Sequence, residues 1–225
     1  MKRCFLAVSL LALMGQFSYG AIVYQSTGVS AAINVNGNAF DYVGDSAFLA
    51  GTERFVTLVE LGTKLFANGG VVPLGLTLEL YADMNVVDGL PDDVDPITPG
   101  NQYQILGSSS IVQVFTGGGN HTSLFPFPLV QVPDNIVFVV KQDTFHNNFQ
   151  VLLGNPATIG DSFQVAGTER IVLSTQSNAN FQRGNVGGPE VIATIHAELV
   201  PEPSTLALAG LGAVGLVLAA RRRRA

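Results

Sequence analysis

Hydrophobic and polar positions divide the chain into two apolar runs at its ends and a long alternating middle. Leu74, Leu76, Leu78 and Leu80 alternate with Gly75, Thr77, Glu79 and Tyr81, which puts the leucines on one face of an extended strand. Phe55, Thr57, Val59 and Leu61 show the same period of two, as do Val191, Ala193, Ile195, Ala197 and Leu199. Further strands are predicted at Val29 to Val35, Ile111 to Phe115, Leu129 to Val132, Ile136 to Lys141, Phe149 to Leu153 and Ile171 to Ser174. Asn36-Gly37-Asn38, Gly117-Gly118-Gly119-Asn120 and Pro133-Asp134-Asn135 read as turns, and no helical period of useful length occurs in this middle region. About ten short strands with such punctuation predict an all-β domain of two packed antiparallel sheets, a jelly-roll-like β-sandwich.

The ends read as addresses. Lys2 and Arg3 precede an apolar stretch from Cys4 to Met14, and Ser18-Tyr19-Gly20 offers a small-x-small site, so a signal helix with cleavage between Gly20 and Ala21 is predicted. The alternative is an uncleaved anchor, but about 20 apolar residues are needed to span a bilayer. Cys4 stands before the apolar run, which speaks against a lipoprotein. At the other end Val200-Pro201-Glu202-Pro203-Ser204-Thr205 leads into fifteen apolar and small residues, Leu206 to Ala220, and then Arg221, Arg222, Arg223 and Arg224. This is a stop-transfer pattern in which the arginines stay in the cytoplasm and the domain lies outside. As a transmembrane helix the run rises only about 22 Å against a hydrocarbon core of about 30 Å, so it makes a marginal permanent anchor. The expected division is a signal peptide at 1–20, a β-sandwich ectodomain at 21–199 and a sorting and anchor segment at 200–225.

Composition narrows the partners. With 47% hydrophobic and 12% charged residues in 225, the chain can build one sizeable core and is too apolar for disorder. Between residues 21 and 200 five basic residues (Arg54, Lys64, Lys141, Arg170, Arg183) face sixteen acidic ones, a net charge of −11. Such a surface repels phosphate backbones and anionic headgroups, so no nucleic-acid partner is expected. Cys4 is the single cysteine, so the exported domain has no disulfide or thiolate metal site to stabilise it.

One internal repeat stands out. Gly44 to Val56 (GDSAFLAGTERFV) and Gly160 to Val172 (GDSFQVAGTERIV) agree at nine of thirteen positions. The shared Ala-Gly-Thr-Glu-Arg is expected to enter a strand after a glycine with φ > 0, sending Glu and Arg to opposite faces with an ion pair at a sheet edge. A repeated ligand-contacting element is the alternative.

The search for chemistry assigns no catalytic residue. No Gly-x-Ser-x-Gly elbow occurs. His121, His146 and His196 are isolated; His196 is expected on a solvent-exposed outer face with Thr194 and Glu198, and zinc-ligand spacing is missing. A glycosidase pair among Glu53, Glu79, Glu169 and Glu198 stays open, although a chain with no tryptophan is poorly equipped to stack on sugars. The best ligand candidate is the acidic loop with Asp83, Asp88, Asp92, Asp93 and Asp95, whose carboxylates could hold calcium. EF-hand spacing fails there because Val87 and Asp88 occupy the fifth and sixth positions, and a solvated hairpin loop without a cofactor is the preferred reading.

Pro201-Glu202-Pro203, the short apolar span and the terminal arginine cluster together resemble the PEP-CTERM sorting signal of Gram-negative bacteria. The same tail has been labelled an "ice-binding protein C-terminal" domain, but a sorting tag says nothing of ice. The resemblance implies an exosortase-type processing enzyme acting at Pro201, Glu202 and Pro203, and an association with exopolysaccharide and biofilm. It implies an exported protein of the cell envelope or extracellular matrix, anchored transiently or permanently in the inner membrane by its C-terminal helix. The middle of the chain resembles β-rich ectodomains found ahead of such tails through three short motifs, at Leu49 to Arg54, Leu80 to Asn85 and Val132 to Asp134. The expected function is that of a structural or adhesive protein and not an enzyme; the alternatives are a calcium-dependent carbohydrate-binding module and a secreted hydrolase.

Overall fold

The structure is a computed structural model that describes residues 20–35, 42–65, 70–82, 105–144, 146–162, 164–165, 168–169, 171–174, 182–184 and 189–199, with the backbone alone between 164 and 184. Every helix or strand element among them is a strand. The longer ones are β1 (Ala21–Gln25), β2 (Val29–Asn34), β3 (Tyr42–Phe48), β4 (Phe55–Leu65), β5 (Val71–Ala82), β6 (Ile105–Thr116), β7 (Asn120–Gln131), β8 (Asn135–Gln142) and β9 (Phe149–Gly154). Short pieces follow: β10 (Asp161–Ser162), β11 (Gln164–Val165), β12 (Thr168–Glu169), β13 (Ile171–Ser174), β14 (Gln182–Gly184) and β15 (Glu190–Val191), before β16 (Ala193–Glu198).

Two antiparallel sheets result, as the alternation predicts. Sheet two runs β14-β13-β3-β8-β5-β6, with β10 also on β3. In sheet one β4 carries β7 along one side; its other side is taken first by β16, which bears β1, and then by β9, which bears β2. Leu76, Leu78 and Leu80 of β5 are fully buried, and with Phe138, Val140 and Ile136 of β8 they meet Val59, Leu61, Phe125, Phe149 and Ile195 of sheet one in a single core. Burial of each such leucine contributes roughly 1.5–3 kcal/mol. Tyr42, Tyr81, Val137 and Val139 form a second, smaller buried cluster on sheet two.

Several strands depart from the sequence expectation: the short β10, β11, β12 and β14 are not among those predicted, and β6 begins at Ile105, six residues before the predicted Ile111. β1 and β3 are additional, and β7 reaches back to Asn120, well beyond the predicted Leu129 to Val132. Gly44 lets β3 lie against β8, because a Cβ there would strike the carbonyl oxygen of Phe138. The predicted signal helix and transmembrane helix fall outside the described residues, and among the described residues no helix is long and apolar enough to cross a membrane. The domain's two ends lie side by side, because β1 pairs with β16 through Ala21 and Ala197.

Candidate functional site

The segment 190–198 shapes one surface cleft. It pairs with β9 through Glu190 and Val191, crosses at Ile192 and continues on β4 as β16. Ile192 N donates to Leu152 O at 3.0 Å on one side, and its own carbonyl accepts from Gly62 N at 2.8 Å on the other. β4 and β9 therefore part around Ile192. Two glycines give it room: a Cβ on Gly62 would come within 3.0 Å of Ile192 Cβ, and one on Gly154 within 2.7 Å of Ile192 Cγ1.

A cleft of about 250 Å³ opens at this fork, lined by Ser26, Glu60, Asn120, His121, Thr122 and Thr194 beside Gly28 and Gly62. Glu60 Oε1 lies 2.8 Å from His196 Nε2. His196 does occupy the outward side of β16, between the core-facing Ile195 and Ala197, but it is only 7% exposed, which corrects the expected solvent exposure. Outward is not the same as exposed here: Glu60 on the neighbouring strand reaches diagonally across the ladder to it. His121 packs edge-on against Phe115 with ring centroids 5.1 Å apart, and its Nε2 is buried with no hydrogen-bond partner among the described residues. The cleft offers a carboxylate, hydroxyls and an amide, a donor and acceptor set for a small polar group.

Two further polar clusters surround buried carboxylates. Glu190 is fully buried and accepts from Tyr24 OH at 3.0 Å and Ser162 Oγ at 2.7 Å, which ties β1 and β15 of sheet one to β10 of sheet two. Asp45, also fully buried, accepts from Ser46 N and, across the sandwich, from Val191 N, each at 2.9 Å. On the outer face of sheet two Lys141 Nζ donates to Glu79 Oε1 at 2.7 Å, and Tyr81 OH donates to Glu79 Oε2 at 2.6 Å. Burial works to lower the Lys141 pKa, but the hydrogen bond and charge of Glu79, with help from Tyr42, raise it above its ordinary value.

The repeated segments meet. Phe48 and Ala47 of the first pair with Asp161 and Ser162 of the second, and Gly44 with Val172. Gly51 takes φ = 70°, as the motif requires. Arg54 then binds the carbonyls of Glu53 at 2.7 Å and Gly51 at 3.1 Å, and Asp134 Oδ1 at 2.8 Å, so the ion pair forms with a different turn. In the second copy Gln164 lies opposite Glu169 and Val165 opposite Thr168. The described parts of the three short motifs lie towards one end of the domain: Phe48, just before the first, lies opposite Asn135, just after the third, and Ala82 of the second lies opposite Ile136.

The remaining candidates scatter. Glu79 is in sheet two and Glu198 in sheet one opposite Phe55, while Glu53 accepts from Thr52 N in the turn after β3. Of Glu169 only the backbone is described. Asp83, Asp88, Asp92, Asp93 and Asp95 lie outside the described residues; among those described, no group of three or more metal-ligating side chains comes together. Sequence reasoning missed Glu60, Asp45 and Glu190; only Asp45, in the repeated Gly-Asp-Ser, carried a signal.

Residues 199–224 match the PEP-CTERM protein-sorting motif. The chain carries a PEP-CTERM sorting signal. That signal supports an exported protein, sorted to the cell envelope or surface by an exosortase-type enzyme. No curated protein and no solved structure matches the chain. The PEP-CTERM match begins one residue after β16 ends at Glu198, and β16 is held between β4 and β1. Pro201, Glu202, Pro203 and the four arginines of the signal lie outside the described residues, whereas Gly20 is described and packs closely on Ala197.

Proposed function

We propose that this is a structural or adhesive protein of the cell envelope or extracellular matrix that works by binding, without a catalytic centre. The observation that carries the reading is the PEP-CTERM signal joined directly to a two-sheet β domain. Cleavage between Gly20 and Ala21 leaves β1 complete, and processing at Pro201-Glu202-Pro203 leaves β16 complete. A tether that emerges from a strand bonded on both sides passes load into the middle of a sheet, a suitable arrangement for an anchored adhesive domain. After processing, the protein acts with exopolysaccharide in a biofilm.

The fork cleft is the site at which polysaccharide engages. At about 250 Å³ it is smaller than the usual ligand pocket of about 300–1,000 Å³, so it takes one small polar group of a chain and not an extended stretch. Glu60, Asn120, Thr122 and Thr194 supply the hydrogen bonds that hydroxyl groups require. Co-sedimentation of the exported protein with the producing strain's exopolysaccharide tests this. Binding that Glu60→Gln and Thr122→Val weaken together supports the site; binding unchanged in both variants excludes it.

A further inference from the structure

Among the described residues sheet one is bounded by β7 and by β1 with β2, and sheet two by β14 and β6. Natural proteins blunt such edges with prolines, charges, bulges or short strands, because a bare edge pairs with another chain. Three of these edges are blunted. β7 contains Pro126 and Pro128, and its bulge holds Leu129 at φ = 49°. β1 and β2 have five and six residues, and each has a register shift. β14 has three residues, including Arg183.

β6 is different. Its twelve residues, Ile105 to Thr116, include no proline and no charged side chain, and the single register shift lies at its very start. The backbone direction follows from one bond: Asp143 N donates to Gly75 O, so Gly75 turns its peptide groups towards β8 and away from β6. Val112, directly opposite Gly75, therefore turns its own N–H and C=O away from β5, and Ser108, Ser110 and Val114 alternate in phase with it. These groups face the open edge of the sheet, and among the described residues no strand pairs with them. The side chains flanking that edge are exposed, Val112 at 71% and Val114 at 48%.

We propose that the exported protein self-associates through β6, two copies lying antiparallel so that sheet two continues across a two-fold axis. An antiparallel strand is complementary to its own copy, since each residue that donates and accepts meets another that does the same. Charge is compatible with this place. Residues 21–200 carry a net −11, so two copies repel one another, and β6, which has no charged residue, adds nothing to that repulsion. This interface stands independently of whether the protein binds polysaccharide.

Sedimentation velocity of exported protein purified from producing cells, across the micromolar range, tests the interface. The expected result is a reversible dimer that tightens with added salt, because screening weakens repulsion between like-charged copies. Val112→Pro removes an N–H that faces the open edge while leaving the bonds to β5, and Val112→Lys places a charge at an exposed position. Each is expected to weaken dimerisation by about tenfold or more. If Val112→Pro fails to keep the wild-type melting temperature, Val112→Lys decides alone. A wild-type protein that stays monomeric, or a dimer unchanged by the lysine variant, overturns the proposal.

Discussion

Arg54 Nε donates to Asp134 Oδ1 at 2.8 Å, and through this contact the turn before β4 is fastened to the turn before β8. Backbone bonds reinforce the same junction: Leu49 N donates to Asp134 O at 2.8 Å, and Val132 N to Arg54 O at 2.9 Å. The ion pair itself is the lesser part, because the Asp134 side chain is 82% exposed and water competes for it. Asp134→Ala is therefore expected to cost only about 0.2–1 kcal/mol. Arg54→Ala also removes the bonds to the Glu53 and Gly51 carbonyls and is expected to cost about 1.5–3 kcal/mol. Chemical denaturation of the two variants checks the order; equal losses would place the stability in the ion pair instead.

The buried carboxylate of Glu190 joins strands from both sheets. Glu190→Ala removes the acceptor of Tyr24 OH and Ser162 Oγ, and a loss of about 1.5–3 kcal/mol is expected. Tyr24→Phe keeps the ring against Phe138 and deletes one bond, so the expected loss is about 1 kcal/mol. Thermal unfolding of both variants and of the double variant measures the coupling. Fully additive losses would show that the two groups act independently.

What was legible in the sequence was the part governed by local period. The leucines of β5 declare their face because every second residue is apolar and the strand is buried on that side. Only the end of β7, from Leu129, was legible: Pro126 and Pro128 disfavour a strand before it and are tolerated because the strand lies at a sheet edge and bulges there, a tertiary circumstance. β3 stayed hidden for another reason. Asp45 points into the sandwich, where alternation alone would not place a carboxyl group, and it is held there by Ser46 N and, from the opposite sheet, by Val191 N. The fork cleft depends on Ile192 crossing from one partner strand to another, and no local pattern announces a crossing.

Lys141 makes stability depend on alkaline pH. A base whose folded pKa is raised stabilises the fold fully below its unfolded value, near 10.5, and this contribution is lost as pH rises through the folded value. The Lys141 side chain is 30% exposed, so solvent screens part of the effect. Urea midpoints measured at neutral pH and above pH ~10.5 should fall more steeply for the wild type than for Lys141→Met. Parallel curves would remove Lys141 as the source.

Leu129 is the one non-glycine residue with positive φ among those described, and it is half exposed. An L-residue in this region is strained by about 1–2 kcal/mol, while glycine in an extended chain gives back about 0.5–1 kcal/mol in entropy. Leu129→Gly should therefore stabilise the protein slightly, by about 0.5 kcal/mol, and Leu129→Ile should destabilise it. A glycine variant that melts well below the wild type would mean that the exposed leucine packs more than its burial indicates.

The central claim is that the PEP-CTERM signal delivers this β domain to the outside and is processed there. Intact mass and location of the native protein, compared in cells with and without an active exosortase, test it most directly. The expected result with the enzyme is a mass lacking both ends and recovery of the protein from the surface or matrix, against an unprocessed C-terminal tail in cells without it. A full-length C-terminal tail held in the inner membrane of both strains would contradict the account.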